Sequence, residues 1–231
     1  MRHLILALAL FFGGSQLQAQ IGLRATYDQF ELDDFQVSLT ETQEIRELPG
    51  SAYAVGIDYW FRLKNKRIEF LPELNYARTS VDLPDATHIR GQWLSFFFNT
   101  NFYVFDLASD CDCPTFSKQS NLLKSGFFLS LSPGVTYATV SSESDRIGTF
   151  DPDNTGLIPS LAGGLGLDLG VSDFLTLTPF AEARYLFPFD QPAQAEPIND
   201  AVPPDYQLSG GDSQGWRFRA GLRLGLRFDY Q

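Results

Sequence analysis

Trp216-Arg217-Phe218-Arg219-Ala220-Gly221-Leu222-Arg223-Leu224-Gly225-Leu226-Arg227-Phe228-Asp229-Tyr230 divides cleanly in period two. Trp216, Phe218, Ala220, Leu222, Leu224, Leu226, Phe228 and Tyr230 fall on one side. Arg217, Arg219, Gly221, Arg223, Gly225, Arg227 and Asp229 fall on the other. Successive side chains of a β-strand point to opposite faces, so this is a strand with one apolar face and one face of arginine and glycine. Its length, residues 216–230, far exceeds the roughly 5–6 residues of a typical soluble strand. In a soluble sandwich the charged face would meet water. Here charge is interleaved with glycine, which suits the crowded inside of a small barrel whose apolar face meets lipid.

The same division runs upstream. Over residues 51–63, Tyr53, Val55, Ile57, Tyr59, Phe61 and Leu63 oppose Ala52, Ala54, Gly56, Asp58, Trp60 and Arg62. Residues 21–28 set Ile21, Leu23, Ala25 and Tyr27 against Gly22, Arg24, Thr26 and Asp28. Residues 67–80 set Ile68, Phe70, Leu74 and Tyr76 against Glu69, Glu73 and Asn75. Residues 93–106 set Leu94, Phe96, Phe98, Phe102 and Val104 against Ser95, Asn99 and Asn101. Residues 123–138 set Phe127, Leu129, Leu131, Val135 and Tyr137 against Gly126, Ser130, Ser132 and Thr136. Residues 157–170 set Leu161, Leu165, Leu167 and Leu169 against Ser160, Gly164 and Asp168. Residues 174–187 set Leu175, Leu177, Ala181 and Tyr185 against Thr176, Thr178, Glu182 and Arg184. The pattern predicts an all-β chain of eight strands, an antiparallel up-and-down transmembrane β-barrel. Tyr and Trp near strand ends fit aromatic girdles. Pro72, Pro133 and Pro179 fall mid-strand on the apolar face, where each removes a ladder donor; they predict bulges or strand bends.

Composition alone suggests something else. The 231 residues carry a formal charge of −11, and mean hydropathy lies just below zero, as in an acidic soluble protein. Against that stands an aromatic content of 14 %. The first 19 residues also read as a secretory signal peptide: Arg2 and His3, an apolar run over residues 4–12, a Gly-Gly-Ser break, and a small residue at Ala19. That apolar core is too short to span a bilayer, and no later run approaches the roughly 20 residues a spanning helix needs. The two expected segments are therefore a signal peptide over 1–19 and the barrel over 20–231. The mature chain carries −12, since Arg2 leaves with the signal. Such an acidic chain argues against nucleic acid as a partner.

Connections alternate in length. Residues 64–66 and 171–173 are short, whereas 29–50, 81–92, 139–156 and 188–215 are long. Outer-membrane barrels have short periplasmic turns and long outer loops. This predicts an outer-membrane location with both termini in the periplasm, and one long periplasmic connection at 107–122.

The chain resembles the small outer-membrane β-barrel proteins of the PorT-like and OmpX/OmpA-transmembrane type. The resemblance is carried by Ile21-Gly22-Leu23-Arg24-Ala25, Phe70-Leu71-Pro72-Glu73-Leu74-Asn75-Tyr76, Leu131-Ser132-Pro133-Gly134-Val135-Thr136-Tyr137 and the ending 222–230. It covers the whole mature chain. It implies the barrel architecture, an accessory role in secretion or envelope assembly, and a targeting signal resting on Phe228 and Tyr230.

The inward rows hold the charges. Arg24, Arg62, Arg184, Arg217, Arg219, Arg223 and Arg227 would face Asp58, Glu69, Glu73, Asp168, Glu182 and Asp229. An eight-stranded barrel is just filled by its own side chains, and charges buried there must be paired. The rows therefore predict an ion-pair network plugging the lumen, with Arg219 or Arg223 bridged to Glu182 or Glu73; a narrow charge-selective pore is the alternative.

Cys111 and Cys113 are the only cysteines. In an oxidising periplasm they read as a local disulfide across one intervening residue. A metal site, or a redox or partner-contact role for turn 107–122, are the alternatives. His88, the only mature histidine, lies near Thr79, Ser80 and Asp85 without a serine motif, so no catalytic triad is expected. Asp151-Pro152-Asp153-Asn154-Thr155-Gly156 resembles the start of a calcium loop, but Ala162 stands where a bidentate glutamate is needed, so it reads as a turn. No constellation calls for a cofactor or an enzyme. The expected partners are outer-membrane lipid or lipopolysaccharide and a protein at turn 107–122 or the outer loops.

Overall fold

The computed structural model describes residues 20–33, 36–39, 45–47, 50–63, 66–82, 87–105, 126–144, 148–150, 155–172, 174–190, 206–208 and 212–227. Among them eight long antiparallel strands form the wall: β1 (Gln20–Asp33), β2 (Ser51–Arg62), β3 (Ile68–Asp82), β4 (Thr87–Phe102), β5 (Phe127–Ser144), β6 (Thr155–Leu167), β7 (Leu175–Asp190) and β8 (Asp212–Arg227). Each pairs with the next, and β8 returns to β1 from Gln20↔Arg227 to Asp33↔Gln214. The ring leaves no free edge, so each strand's backbone has a neighbour on both sides, as a strand in hydrocarbon requires.

The register fixes the tilt. The ladder runs from Gly22 through Asp58, Glu73, Phe97, Gly134, Ser160, Leu186 and Gly215 to Leu32, ten residues further along β1. With about 3.3 Å per residue and about 4.8 Å between strands, a shift of that size over eight strands tilts them about 40°.

The exposed row is apolar. Leu23, Val55, Ile57, Leu74, Leu129, Leu131, Leu165, Leu222 and Leu224 all face outward. Aromatic rings bound this band at both ends. Away from the chain termini, Tyr27 meets Tyr53 and Tyr185 meets Trp216 at centroid distances of 5.5 and 5.2 Å. At the end that holds Gln20 and Arg227, Phe61 stacks on Phe70 at 5.2 Å and Phe70 meets Phe98 in a tilted contact at 5.8 Å. Tyr53 and Phe61 lie eight residues apart on β2, which at this rise and tilt spans about 20 Å, close to the roughly 25 Å apolar band of a membrane barrel.

Pro72, Pro133 and Pro179 do not mark bulges. Each faces the outside at a gap in one ladder. The β2–β3 pairing stops at Asp58↔Glu73 and resumes in the same register at Phe61↔Phe70. The β4–β5 pairing stops at Phe97↔Gly134 and resumes at Thr100↔Leu131. The β6–β7 pairing ends at Phe180↔Gly166, and the short strand Leu169–Ser172 takes over at Leu169↔Leu177. A missing N–H interrupts the ladder without inserting a residue. The register shift in β7 lies instead between Leu186 and Phe189, and it turns Phe189 inward.

Several strands reach further than the hydrophobic alternation does. Residues 81–92 are not a long loop: β3 continues to Asp82, and β4 begins at Thr87. Likewise β5 runs to Ser144 and pairs with Gly148–Phe150. Backbone pairing thus continues past the stretch in which the sequence alternates. At the end opposite the termini, Gln36–Leu39 pairs with both Ile45–Glu47 and Tyr206–Leu208, joining the first and fourth connections. Cys111, Cys113, the signal segment, Asp229 and Asp151–Asn154 lie outside the described residues.

Candidate functional site

Six arginines (24, 67, 184, 217, 219 and 223) and six carboxylates (28, 58, 69, 73, 168 and 182) are buried among the described residues. Equal numbers mean that the interior is charge-balanced when all are ionised. Strand alternation aims these side chains inward, and glycines make room for them. A Cβ on Gly22 would lie 2.5 Å from both Arg223 Nε and the Asp58 carboxylate, and one on Gly134 would lie 2.5 Å from the Phe97 ring.

Arg219 is the centre of the upper network. Its Nη1 donates to Glu182 Oε1 at 2.9 Å and its Nη2 to Glu73 Oε1 at 3.1 Å, while Nε lies 3.4 Å from Asp28 Oδ1. Arg217 donates through Nε to Asp28 Oδ2 at 3.1 Å and also pairs with that carboxylate through Nη2. Arg184 donates to Glu182 Oε1 at 3.1 Å and to Ser132 Oγ and Ser160 Oγ at 2.7 and 3.1 Å. The Phe97 ring serves as a platform, with the Arg184 and Arg219 guanidinium carbons 3.7 and 4.8 Å from its centroid.

Nearer the termini, Asp58 clamps two arginines. Arg24 Nε donates to it at 2.9 Å, and Arg223 donates through Nε and Nη2 at 2.8 and 2.7 Å. Arg24 Nη1 then reaches Glu73 Oε2 at 3.2 Å, which joins this pair to the Arg219 cluster. Asn99 Nδ2 donates to the same Glu73 oxygen at 2.8 Å. Arg24, Asp58, Glu73, Glu182, Arg184, Arg217, Arg219 and Arg223 thus form one connected network.

Glu69 and Asp168 lie at the terminal end, joined through Tyr103. Arg62 stands at the end of β2, half-buried and opposite Glu69 in the ladder. Arg227 pairs with Gln20 through its backbone. His88 lies in β4, with Asp82 and Glu143 as ladder partners. Asp28, Phe97 and Tyr103 are missing from the network drawn from sequence. Asp28 and Phe97 stand on inward rows, and Tyr103 extends the row of Asn99 and Asn101, so period two was the available signal.

Above the ionic layer the interior turns apolar. Phe30, Leu32, Trp93, Ile158, Leu186 and Phe189 are buried there, with Phe30 and Trp93 in contact at 5.0 Å between centroids. On the terminal side, Arg24, Glu69, Asn101, Asp168, Thr178 and Arg223 line a polar cavity of about 20 Å³. A water molecule needs roughly 10–15 Å³, so the cavity has room for one water rather than a column of them.

No protein-family model matches the chain, and no curated protein matches it. Among solved structures it is similar to Neisserial surface protein A, with 10 % identity, 91 % of this chain and 97 % of the other covered, and a TM-score of 0.41. It is similar to the outer membrane protein OprG from Pseudomonas aeruginosa, with 11 % identity, coverage of 92 % and 98 %, and a TM-score of 0.43. It is also similar to a major outer membrane protein from Thermus thermophilus, with 12 % identity, coverage of 91 % and 99 %, and a TM-score of 0.44.

Proposed function

We propose that this chain is a non-enzymatic outer-membrane barrel with a closed lumen, acting as a structural and interaction protein rather than as a conduit. Its location rests on the outward apolar band between two aromatic belts, which suits a bilayer and no aqueous setting. Its termini would face the periplasm, with the joined first and fourth connections outside the cell. The observation that carries the functional reading is the lumen itself: a continuous arginine–carboxylate network under an apolar lid, with a cavity of about 20 Å³ lined by Arg24, Asp168 and Arg223. A solute-conducting pore needs a water-filled path, and the paired charges that fill the described interior argue against one. That weighs against a narrow charge-selective porin, the second reading.

A filled lumen leaves work to the barrel's ends. Two segments are the expected contacts: the outer connections, and residues 107–122, where Cys111 and Cys113 would form the expected disulfide. The accessory role in secretion or envelope assembly that the resemblance to PorT-like barrels implies belongs to this same class. Extraction of the tagged full-length protein from native envelopes in mild detergent, followed by quantitative mass spectrometry, tests the reading. A specific envelope protein should copurify with the wild type and be depleted when residues 107–122 are replaced by a short turn or Cys111 and Cys113 become serine. Recovery of the same proteins in equal amounts with every variant, including exchanged outer connections, would count against an interaction role.

A further inference from the structure

Tyr103 presents an imbalance of protons. Its hydroxyl oxygen lies 2.7 Å from Glu69 Oε2 and 2.5 Å from Asp168 Oδ2. All three side chains are buried, with Tyr103 at 0 %, Glu69 at 3 % and Asp168 at 5 % exposure. A phenol has one proton to donate, and an ionised carboxylate has none. Two ionised carboxylates around one phenol would therefore leave one short oxygen–oxygen contact without a hydrogen.

Several neighbouring groups serve other contacts. From β2, Trp60 Nε1 donates to Glu69 Oε2 at 2.7 Å, the same oxygen Tyr103 approaches. From β7, the Thr178 hydroxyl donates to the other Asp168 oxygen, Oδ1. The segment before β3 contributes Arg67, whose guanidinium carbon lies 4.3 Å from the Tyr103 ring centroid. β5 contributes the uncharged Phe128 ring, 5.6 Å from that of Tyr103. β1 and β8 bring Arg24 and Arg223 to the cavity that Glu69 and Asp168 line. These cations favour ionised carboxylates, but none places a hydrogen between Tyr103 Oη and a carboxylate oxygen.

We propose that Glu69, Tyr103 and Asp168 form a proton-binding site that shares two protons among its three acidic groups in the closed barrel. The extra proton sits between the phenolic oxygen and one carboxylate, while the phenol donates to the other. Each short contact then contains a hydrogen. The site ties together three elements at the terminal mouth of the lumen: Glu69 at the start of β3, Tyr103 just after β4, and Asp168 at the break that follows β6. The Asp168 backbone has left the β6–β7 ladder, and its N–H donates to Gly126 O at 2.9 Å. The proton therefore acts as a latch where the wall is interrupted, and its release would set two carboxylates against each other at this mouth.

Infrared spectroscopy of the full-length protein in lipid vesicles in heavy water reads the site directly, because a protonated carboxyl has a carbonyl stretch that an ionised one lacks. One buried protonated carboxyl is expected at neutral pD. It should be absent from Glu69→Gln and from Asp168→Asn, where the introduced amide supplies the missing donor. Isotope labelling of all glutamate or all aspartate carboxyls gives the same assignment in wild-type protein if a variant does not fold: one of the two labels should shift the band. Absence of the band in wild type, its persistence in either folded variant, or a shift under neither label would overturn the proposal.

Discussion

Arg219 is held by three carboxylates at once, and its side chain is fully buried. Moving charges from water into a closed interior is costly, and breaking such a group by removing one partner costs about 3–5 kcal/mol because the other charges stay buried. Arg219→Met keeps most of the volume and leaves Glu73, Glu182 and Asp28 one positive charge short. Urea unfolding in lipid vesicles should show a loss of about 3–5 kcal/mol, partly restored when Glu182→Gln is added. A loss below about 1 kcal/mol for the single change would mean that the network is not what fills the lumen. At this scale the sequence is legible in part. Alternation assigns Arg219, Glu182 and Glu73 to the inward rows, and it assigns Asp28 and Phe97 there as well. Pairing across the lumen depends on the ten-residue shift of the closed ladder, which no single strand encodes. That is why Phe97 could be placed inside without its role beneath Arg184 being visible.

The strands combine regular alternation with local interruptions. Pro133 faces the outside, and the β4–β5 ladder is open there between Phe97↔Gly134 and Thr100↔Leu131. Restoring the N–H should close it. Pro133→Val is expected to raise the unfolding free energy by about 0.5–1.5 kcal/mol, the usual net value of one hydrogen bond, in the same urea assay. A loss of stability would mean that proline is needed for the local shape of β5. Strand existence was readable wherever one face meets lipid and the other the lumen. Strand ends were not, because backbone pairing continues to Asp82 and Ser144 where the sequence no longer alternates. The inward turn of Phe189 was hidden for a related reason: the register shift after Leu186 sits where apolar and polar residues no longer alternate.

For the whole molecule, acidity and near-neutral hydropathy suggest a soluble protein, yet the fold places charge inside and hydrocarbon outside. Buried arginines and buried carboxyl groups number six each among the described residues, so the acidic excess belongs outside the lumen network. The proposed closure follows from size. Eight strands enclose an interior that their own side chains fill, and here arginines, carboxylates and an aromatic lid fill it. Conductance of the purified full-length wild type in planar lipid bilayers tests this most directly. The closed lumen predicts no steady current at either polarity after verified insertion. A stable, reproducible, ion-selective current through the wild type would contradict it.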